Sequence, residues 1–171
     1  MEIYLDDYLI RSWEKTDAES LLKYASNLKI WLNLRDIFPH PYTEQDARNW
    51  IDFALSQDTE CNFAIAAGEE AIGGIGLILG EDVHCQTAEL GYWLGEPYWG
   101  RGIMTNAVSS YTEFSLQHYN LLRIFAEPYA NNYASRRVLE KSGYILEGIK
   151  RMSVIKDGKV LDQALYGLIR D

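Results

Sequence analysis

One segment of the chain predicts a strand, a glycine-rich turn and a helix in direct succession, and it restricts the fold more than any other part. Residues 88–94 form the predicted strand, the breaker-rich residues 95–102 the loop, and residues 103–118 a helix with apolar positions at helical spacing. Such a turn exposes unpaired backbone N–H groups at the positive end of the helix dipole, which favours a bound phosphate. On their own, Gly100 and Gly102 fit an ordinary loop equally well.

The rest of the chain predicts strands and helices in a mixed order. Predicted strands cover residues 2–13 as a hairpin or kinked strand, 61–67, 71–79, 121–127, and a C-terminal hairpin of 144–155 and 160–169. Predicted helices cover 17–27 with Asp17 as the cap, 30–34, a segment opened by capping-box spacing at Thr43, and 133–142, ended by Gly143. Two prolines make residues 38–42 a loop.

The length and composition predict a single domain over residues 1–171. The chain has 171 residues, of which 47% are hydrophobic, and a formal net charge of −9. A chain of this length can bury a sizeable core. The acidic balance argues against nucleic-acid binding and weakly favours cationic substrates, although it serves solubility equally well.

Signals for secretion, membrane insertion and metal binding are missing from the sequence. The N-terminus is acidic and alternating, and no apolar run reaches membrane-spanning length. Cys61 and Cys85 lie far apart, with no CxxC pattern and no nearby histidine pair. We therefore expect a cytoplasmic protein with reduced thiols, no metal and no membrane association.

The glycine loop matches neither of two common nucleotide motifs. A Walker A motif requires Gly-Lys-Ser/Thr, which the loop lacks. A dinucleotide fingerprint requires a third glycine three residues after Gly102, where the sequence has Thr105. An anion at this loop is therefore expected to belong to a ligand other than those that the Walker A motif and the dinucleotide fingerprint bind.

Two long ordered motifs stand out: the run AELGYWLGEPYWGRGIMT, residues 88–105, and the run NYASRRVLEKSGY, residues 132–144. The first resembles motif A of the GNAT superfamily of N-acetyltransferases, especially of the branch that contains the ribosomal-protein N-terminal alanine acetyltransferases, and the second resembles another segment of that branch. Residues 38–43 and the Lys-Asp-Gly hairpin also look like that branch. The resemblance implies a single-domain α/β fold with a central, mixed, twisted sheet of about seven strands, splayed after the fourth main strand, and helices on both faces.

The same resemblance implies acetyl-CoA as cosubstrate and assigns residues to it. Backbone groups of Tyr92, Trp93 and Leu94 are expected to pair with the pantetheine arm, and Asn132 to hydrogen-bond the coenzyme, unless it serves as a helix cap, or to do both. The pyrophosphate is expected at the loop and first helical turn, formed by Trp99, Gly100, Arg101, Gly102, Ile103, Met104 and Thr105. Trp99 and Met104 depart from the family pattern, in which the first position is glutamine or arginine and the last is small.

The chemistry implied by the resemblance needs a base, because a protonated amine has no lone pair to attack a thioester. Glu89 is the candidate base, with an ordinary strand-edge ion pair as its alternative. Ser135 is the candidate hydroxyl near the thioester sulfur, with a solvent-facing helical serine as its alternative. Many relatives carry a proton-donating tyrosine where this chain has Leu139, so the role passes to Ser135 or water, or no acid is needed.

The function these observations predict is transfer of an acetyl group from acetyl-CoA to an amine. Three alternatives stay open: a protein N-terminal α-amine as acceptor, a small-molecule amine (a polyamine, an aminoglycoside or an amino acid), and a non-catalytic acyl-CoA sensor. The sequence does not choose the acceptor, nor between a monomer and a homodimer.

Overall fold

A computed structural model of the chain describes residues 1–170. Within these residues there are eight strands: β1 (Glu2–Leu5), β2 (Tyr8–Ser12), β3 (Asn62–Ala67), β4 (Glu70–Leu79), β5 (Thr87–Leu94), β6 (Arg123–Ala126), β7 (Ile145–Lys156) and β8 (Lys159–Ile169). The five α-helices in the same range are α1 (Ala18–Ala25), α2 (Leu28–Trp31), α3 (Glu44–Ser56), α4 (Ile103–His118) and α5 (Tyr133–Lys141).

The strands form one mixed sheet in the order β1-β2-β3-β4-β5-β6-β8-β7. β5 and β6 pair in parallel, with a register from Thr87↔Arg123 to Glu89↔Phe125, and β5 continues to Leu94. β1 to β4 pair antiparallel, as do β6 with β8 and β8 with β7. The predicted fold class is confirmed. The sheet has eight strands rather than about seven, because the N-terminal segment forms a true hairpin, turning at Asp6 with a φ of 53°.

The chain divides into two compact units, each built from two stretches of sequence. The first unit comprises Met1–Gly76 and Tyr92–Ile103, and the second comprises Leu77–Gly91 and the chain from Met104 onward. In the first unit, α1 and α3 pack with the sheet around an apolar cluster of buried residues that includes Trp13, Leu21, Tyr42, Ile51 and Ala64.

The second unit has its own set of fully buried side chains, including Tyr111, Leu121, Ile124, Leu139 and Tyr166. Its long C-terminal hairpin turns at Asp157 and Gly158, which have φ values of 50° and 71°. Positive φ at both central residues is what a type I′ hairpin turn requires, and Asp-Gly accepts it readily. The hairpin predicted from this dipeptide is confirmed.

Two local predictions need correction. Asp17 occupies the cap position of α1, but its side chain makes no cap bond there. Its carboxylate instead accepts two hydrogen bonds from Arg11, both at 2.8 Å, and one from the backbone N–H of Glu14. The buried arginine is a cation that donates two charge-assisted hydrogen bonds, whereas a cap bond would supply one donor without a net charge. The second helix covers Leu28–Trp31 rather than residues 30–34, because the Asn27 side chain caps it by accepting from Lys29 N.

Candidate functional site

The turn before α4 combines two left-handed glycines with an arginine between them. Gly100 has a φ of 76° and Gly102 a φ of 78°, a conformation that side-chain-bearing residues avoid. Apart from the glycine itself and its two chain neighbours, no described residue has a heavy atom within 4 Å of the position that a Cβ would take at either glycine. The glycines are therefore required by backbone conformation rather than by crowding. Alternating backbone conformations of this kind turn successive N–H groups toward one concave side, where an anion binds.

The turn is tied to the end of β5 by the side chain of Trp99. Its indole Nε1 donates a hydrogen bond to the carbonyl oxygen of Leu94 at 2.7 Å. Trp99 stands at the position where the family pattern has glutamine or arginine, and main-chain phosphate binding alone asks little of that side chain. In the structure, the Trp99 side chain has a local structural role, because its hydrogen bond fixes the start of the turn relative to β5.

The backbone of β5 has one side turned toward β4 and the other turned away. Gly95 N–H, directly after the strand, donates to the carbonyl of Ile72 in β4 at 2.7 Å. Successive residues of an extended chain point their backbone groups in opposite directions. The N–H and C=O groups of Tyr92 and Leu94 therefore face away from β4. The Leu94 carbonyl is bonded to the Trp99 indole there, and the other groups have the orientation that pairing with an extended ligand requires.

Trp93 contributes its side chain to the interior of the first unit. Its ring centre lies 5.9 Å from that of Phe38, and its indole Nε1 would lie 2.9 Å from a Cβ at Gly74. A Cβ at Gly73 would lie 2.5 Å from the carbonyl oxygen of Trp93. The two adjacent glycines of β4 thus permit a close approach of Trp93. A Gly-Gly pair inside a predicted strand is the sequence signal that indicates such an approach.

The 3-10 turn Glu96–Tyr98, which leads into the glycines, is held by side chains from α1 and the start of α2. Glu96 accepts hydrogen bonds from Asn27 Nδ2 at 2.7 Å and from Lys29 Nζ. These bonds, from Lys29 first, hold the pKa of the Glu96 carboxyl below its usual range. The ring of Tyr98 packs edge-on against Tyr24, with centres 5.7 Å apart. Sequence reasoning missed these residues, because their partners lie about 70 positions away.

In the second unit, Asn132 caps α5. Its Oδ1 accepts a hydrogen bond from the backbone N–H of Ser135 at 3.1 Å. The cap uses only the amide oxygen, and the Nδ2 group remains a separate donor. Capping and coenzyme contact are therefore compatible roles for Asn132. The same bond brings Asn132 and Ser135 together at the first turn of the helix, where Ser135 is half-buried.

Three further predicted positions lie in the second unit. Glu89 is half-buried on β5, opposite Phe125 of β6. Met104 is buried, with 8% of its surface exposed, so its side chain is packed into the protein rather than standing in solvent beside the turn. Thr105 is half-buried, and its carbonyl accepts a hydrogen bond from Ser142 Oγ at 3.3 Å.

Leu139 is a core residue, with 0% of its side chain exposed. Its carbonyl accepts the backbone N–H of Tyr144 at 3.0 Å, which closes the end of α5. The position where many relatives carry a tyrosine is filled here by a packed aliphatic side chain.

The structure thus groups the predicted residues in two sets. Tyr92, Trp93, Leu94 and the turn from Trp99 to Ile103 belong to the first unit, and Glu89, Met104, Thr105, Asn132 and Ser135 to the second. Within residues 1–170, no three His, Cys, Asp or Glu side chains are grouped as ligands of a metal ion would be. No helix in that range is both long and apolar enough to cross a membrane.

Comparison with known proteins adds sequence and fold relatives. A family model described as "Acetyltransferase (GNAT) domain" matches residues 8–145. The chain is 32% identical over 173 residues to "Probable N-acetyltransferase YjcK" of Bacillus subtilis (strain 168), covering 94% of this chain and 92% of the relative. It is also 32% identical over 147 residues to "Ribosomal-protein-serine acetyltransferase" of Escherichia coli (strain K12), covering 84% and 82%.

A solved structure shares the fold over the full length. It is "RimL- Ribosomal L7/L12 alpha-N-protein acetyltransferase in complex with Coenzyme A", with a TM-score of 0.88 and 20% identity, covering 100% of this chain and 99% of that one. At this identity the likeness concerns the fold alone. It agrees with the mixed sheet described above.

Proposed function

Since the chain belongs to the GNAT family and is an acetyl-CoA-dependent N-acetyltransferase, we propose that its acceptor is the N-terminal α-amine of a protein. The donor half of the reaction is supported by one observation above all, the pair of left-handed glycines at Gly100 and Gly102 immediately before α4. A turn of this shape binds a phosphate through its N–H groups, and the coenzyme carries a pyrophosphate.

The residues of the site suit the other parts of the coenzyme as well. In our proposal, the outward-facing N–H and C=O groups of Tyr92 and the N–H group of Leu94 hydrogen-bond the pantetheine arm in the manner of an added strand, while the Leu94 carbonyl stays bonded to the Trp99 indole. Asn132 contributes its Nδ2 donor, since its oxygen serves as the helix cap. The coenzyme supplies the activated acetyl group, and the protein supplies alignment and proton transfer.

Glu89 is proposed as the base that accepts the proton of the attacking amine, directly or through one water molecule. An α-amine has a pKa near 8, about two units below that of a lysine side chain. Transfer of its proton to a carboxylate therefore costs less free energy. A backbone N–H of β5 polarises the thioester oxygen. Ser135 is proposed to donate to the departing thiolate, since the buried Leu139 side chain cannot.

The protein-type acceptor rests on the relatives. Ribosomal-protein acetyltransferases stand among both the sequence relatives and the fold neighbours, and one of the latter is described as an α-N-protein acetyltransferase. The α-amine of a flexible N-terminus is also accessible without unfolding the target protein. The competing acceptor class is a small polyamine, toward which the net charge of −9 is equally favourable.

The test is a side-by-side turnover assay of the purified chain with acetyl-CoA. The acceptors are a panel of peptides with Ala or Ser as first residue, the same peptides with blocked α-amines and a free lysine, and small amines such as spermidine. We expect thiol release only with free α-amines, and mass spectrometry should locate the acetyl group there. Faster turnover of blocked peptides or of spermidine would contradict the proposed acceptor class.

A further inference from the structure

The guanidinium of Arg101, between the two left-handed glycines, is held by two contacts. Its Cζ lies 5.4 Å from the centre of the Tyr98 ring, and its Nη2 donates a hydrogen bond to the Pro97 carbonyl at 2.8 Å. Arg101 is exposed, and an exposed arginine without such contacts samples many rotamers. Here the side chain has a defined position beside the turn.

Tyr98 is itself held by a residue of α1, Tyr24, which is bonded in turn to Glu70 of β4. Its hydroxyl lies 3.4 Å from that of Tyr24, and the Tyr24 hydroxyl donates to Glu70 Oε2 at 3.0 Å. Because a tyrosine has one hydroxyl proton, Tyr98 is the donor in the contact between the two tyrosines. A chain of contacts therefore leads from Glu70 through Tyr24 and Tyr98 to Arg101.

We propose that Tyr98 is a positioning residue for the coenzyme, whose ring orients Arg101 so that the guanidinium binds a phosphate group of acetyl-CoA. The inference rests on the proposed coenzyme role of the glycine turn. An aromatic ring contacts the flat face of a guanidinium and leaves its N–H edges available. Those edges match the oxygens of a phosphate in paired, charge-assisted hydrogen bonds.

Two phosphate sources share this chemistry, the pyrophosphate and the 3′-phosphate of the coenzyme. Steady-state kinetics with three thioesters separate them: acetyl-CoA, its dephospho form that lacks the 3′-phosphate, and S-acetylpantetheine, which lacks every phosphate. The variants are Tyr98→Leu, which removes the ring, Tyr98→Phe, which removes only the hydroxyl, Arg101→Met, and the double variant of Tyr98→Leu with Arg101→Met. Tyr4→Leu, at a tyrosine that is 74% exposed on β1, is the control.

We expect Tyr98→Leu to raise the KM for acetyl-CoA about threefold to fivefold, the effect of one exposed cation–π contact, with little change in kcat. Tyr98→Phe should stay close to the wild type, because it keeps the ring and its edge-on packing against Tyr24 and loses only a long hydroxyl contact. In the Arg101→Met background, Tyr98→Leu should cause no further rise. Turnover of S-acetylpantetheine should be the same in the wild type and in Tyr98→Leu.

Three results would overturn the proposal: an unchanged KM for acetyl-CoA in Tyr98→Leu, an equal loss with S-acetylpantetheine, or full additivity with Arg101→Met. If the Tyr98→Leu effect disappears with the dephospho form, Arg101 binds the 3′-phosphate, and if it persists, Arg101 binds the pyrophosphate. Circular dichroism melting verifies folding, and Tyr98→Met replaces Tyr98→Leu if the latter does not fold.

Failure of the proposed function looks different from failure of this inference. If the wild-type chain binds no coenzyme A by calorimetry, the coenzyme role of the turn is lost. If the wild type binds and Tyr98→Leu has an unchanged KM, only the positioning role is lost.

Discussion

The indole Nε1 of Trp99 donates a hydrogen bond to the carbonyl oxygen of Leu94 at 2.7 Å. The bond links the last residue of β5 to the first residue of the glycine turn. It gives a reason for a tryptophan at a position where the family pattern has glutamine or arginine: the side chain shapes the turn, and in the proposed site the main chain and Arg101 bind the phosphates.

Replacing Trp99 by phenylalanine tests this role. The change keeps an aromatic ring and removes the N–H donor, so the turn loses about 1 kcal/mol of hydrogen bonding, equivalent to a KM for acetyl-CoA about fivefold higher. Steady-state kinetics measure the change, and kcat should be nearly unaffected. Trp50→Phe, at a half-buried tryptophan of α3 that packs on Phe53, is the control and should leave the KM unaltered. An unaltered KM in Trp99→Phe would contradict the role of the indole N–H in shaping the turn.

Gly102→Val should weaken coenzyme A binding at least tenfold. A β-branched residue at a φ of 78° costs about 1–3 kcal/mol, so the turn is expected to change its conformation and its N–H groups to lose their alignment. Calorimetric titration measures the affinity. Gly68→Val is a matched control, because Gly68 has a φ of 60° in the turn between β3 and β4 and the same open surroundings among the described residues. Equal affinity losses in the two variants would mean that the effect is general destabilisation.

Glu89→Gln tests the proposed base. The variant keeps the shape of the side chain and loses the proton acceptor, so kcat/KM should fall by about a hundredfold or more at neutral pH, while coenzyme affinity stays the same. The pH dependence should change as well, because deprotonation of the amine then falls to solvent. Glu113→Gln, at an exposed glutamate of α4, controls for the loss of one charge. Turnover equal to that of the wild type would assign Glu89 to an ordinary structural role.

Leu139→Tyr is not expected to restore a proton donor. The side chain of Leu139 has 0% of its surface exposed, so a larger ring overpacks the second unit. We expect the free energy of unfolding to fall by about 1–3 kcal/mol and kcat not to rise. Denaturant titration and turnover rates measure the two effects. A higher kcat with unaltered stability would show that the position opens onto the reacting sulfur.

The Glu96 carboxyl is expected to make a pH-dependent contribution to the free energy of unfolding. Its pKa is lowered in the folded chain, by Lys29 first and then by Asn27. A lowered folded pKa means that the contribution is present above the ordinary glutamate pKa of about 4.3 and is lost as the pH falls through the folded value. The difference in Tm between the wild type and Glu96→Gln should therefore be largest near neutral pH and should shrink in acid. A difference that is independent of pH would contradict this origin.

Much of the fold could be predicted because its signals are local. The Asp157-Gly158 turn, the Thr43 capping box and the end of α5 at Gly143 each depend on a few neighbouring residues, and each was predicted at the right place. Asp17 stands at the predicted cap position of α1, but its side chain makes no cap bond, because its partner Arg11 lies on β2 and only the folded chain brings the two together.

The candidate site follows the same division. The glycines of the turn and the Asn132 cap are visible in the sequence, since backbone conformation and capping are local properties. The Trp99 bond to Leu94, the contacts of Tyr98 with Tyr24 and those of Glu96 with Asn27 depend on tertiary structure. The acceptor specificity depends on surfaces whose chemistry no short motif encodes. The proposed protein α-amine acceptor is therefore supported by the relatives and not by individual residues of this sequence.

The most direct test of the proposed function is the reaction itself, followed with the wild-type chain, acetyl-CoA and a peptide with a free α-amine. We predict that free thiol appears in step with N-terminally acetylated peptide, and that Gly102→Val slows both while Gly68→Val does not. Absence of thiol release with every peptide and amine, together with no heat of coenzyme A binding in calorimetry, would contradict it.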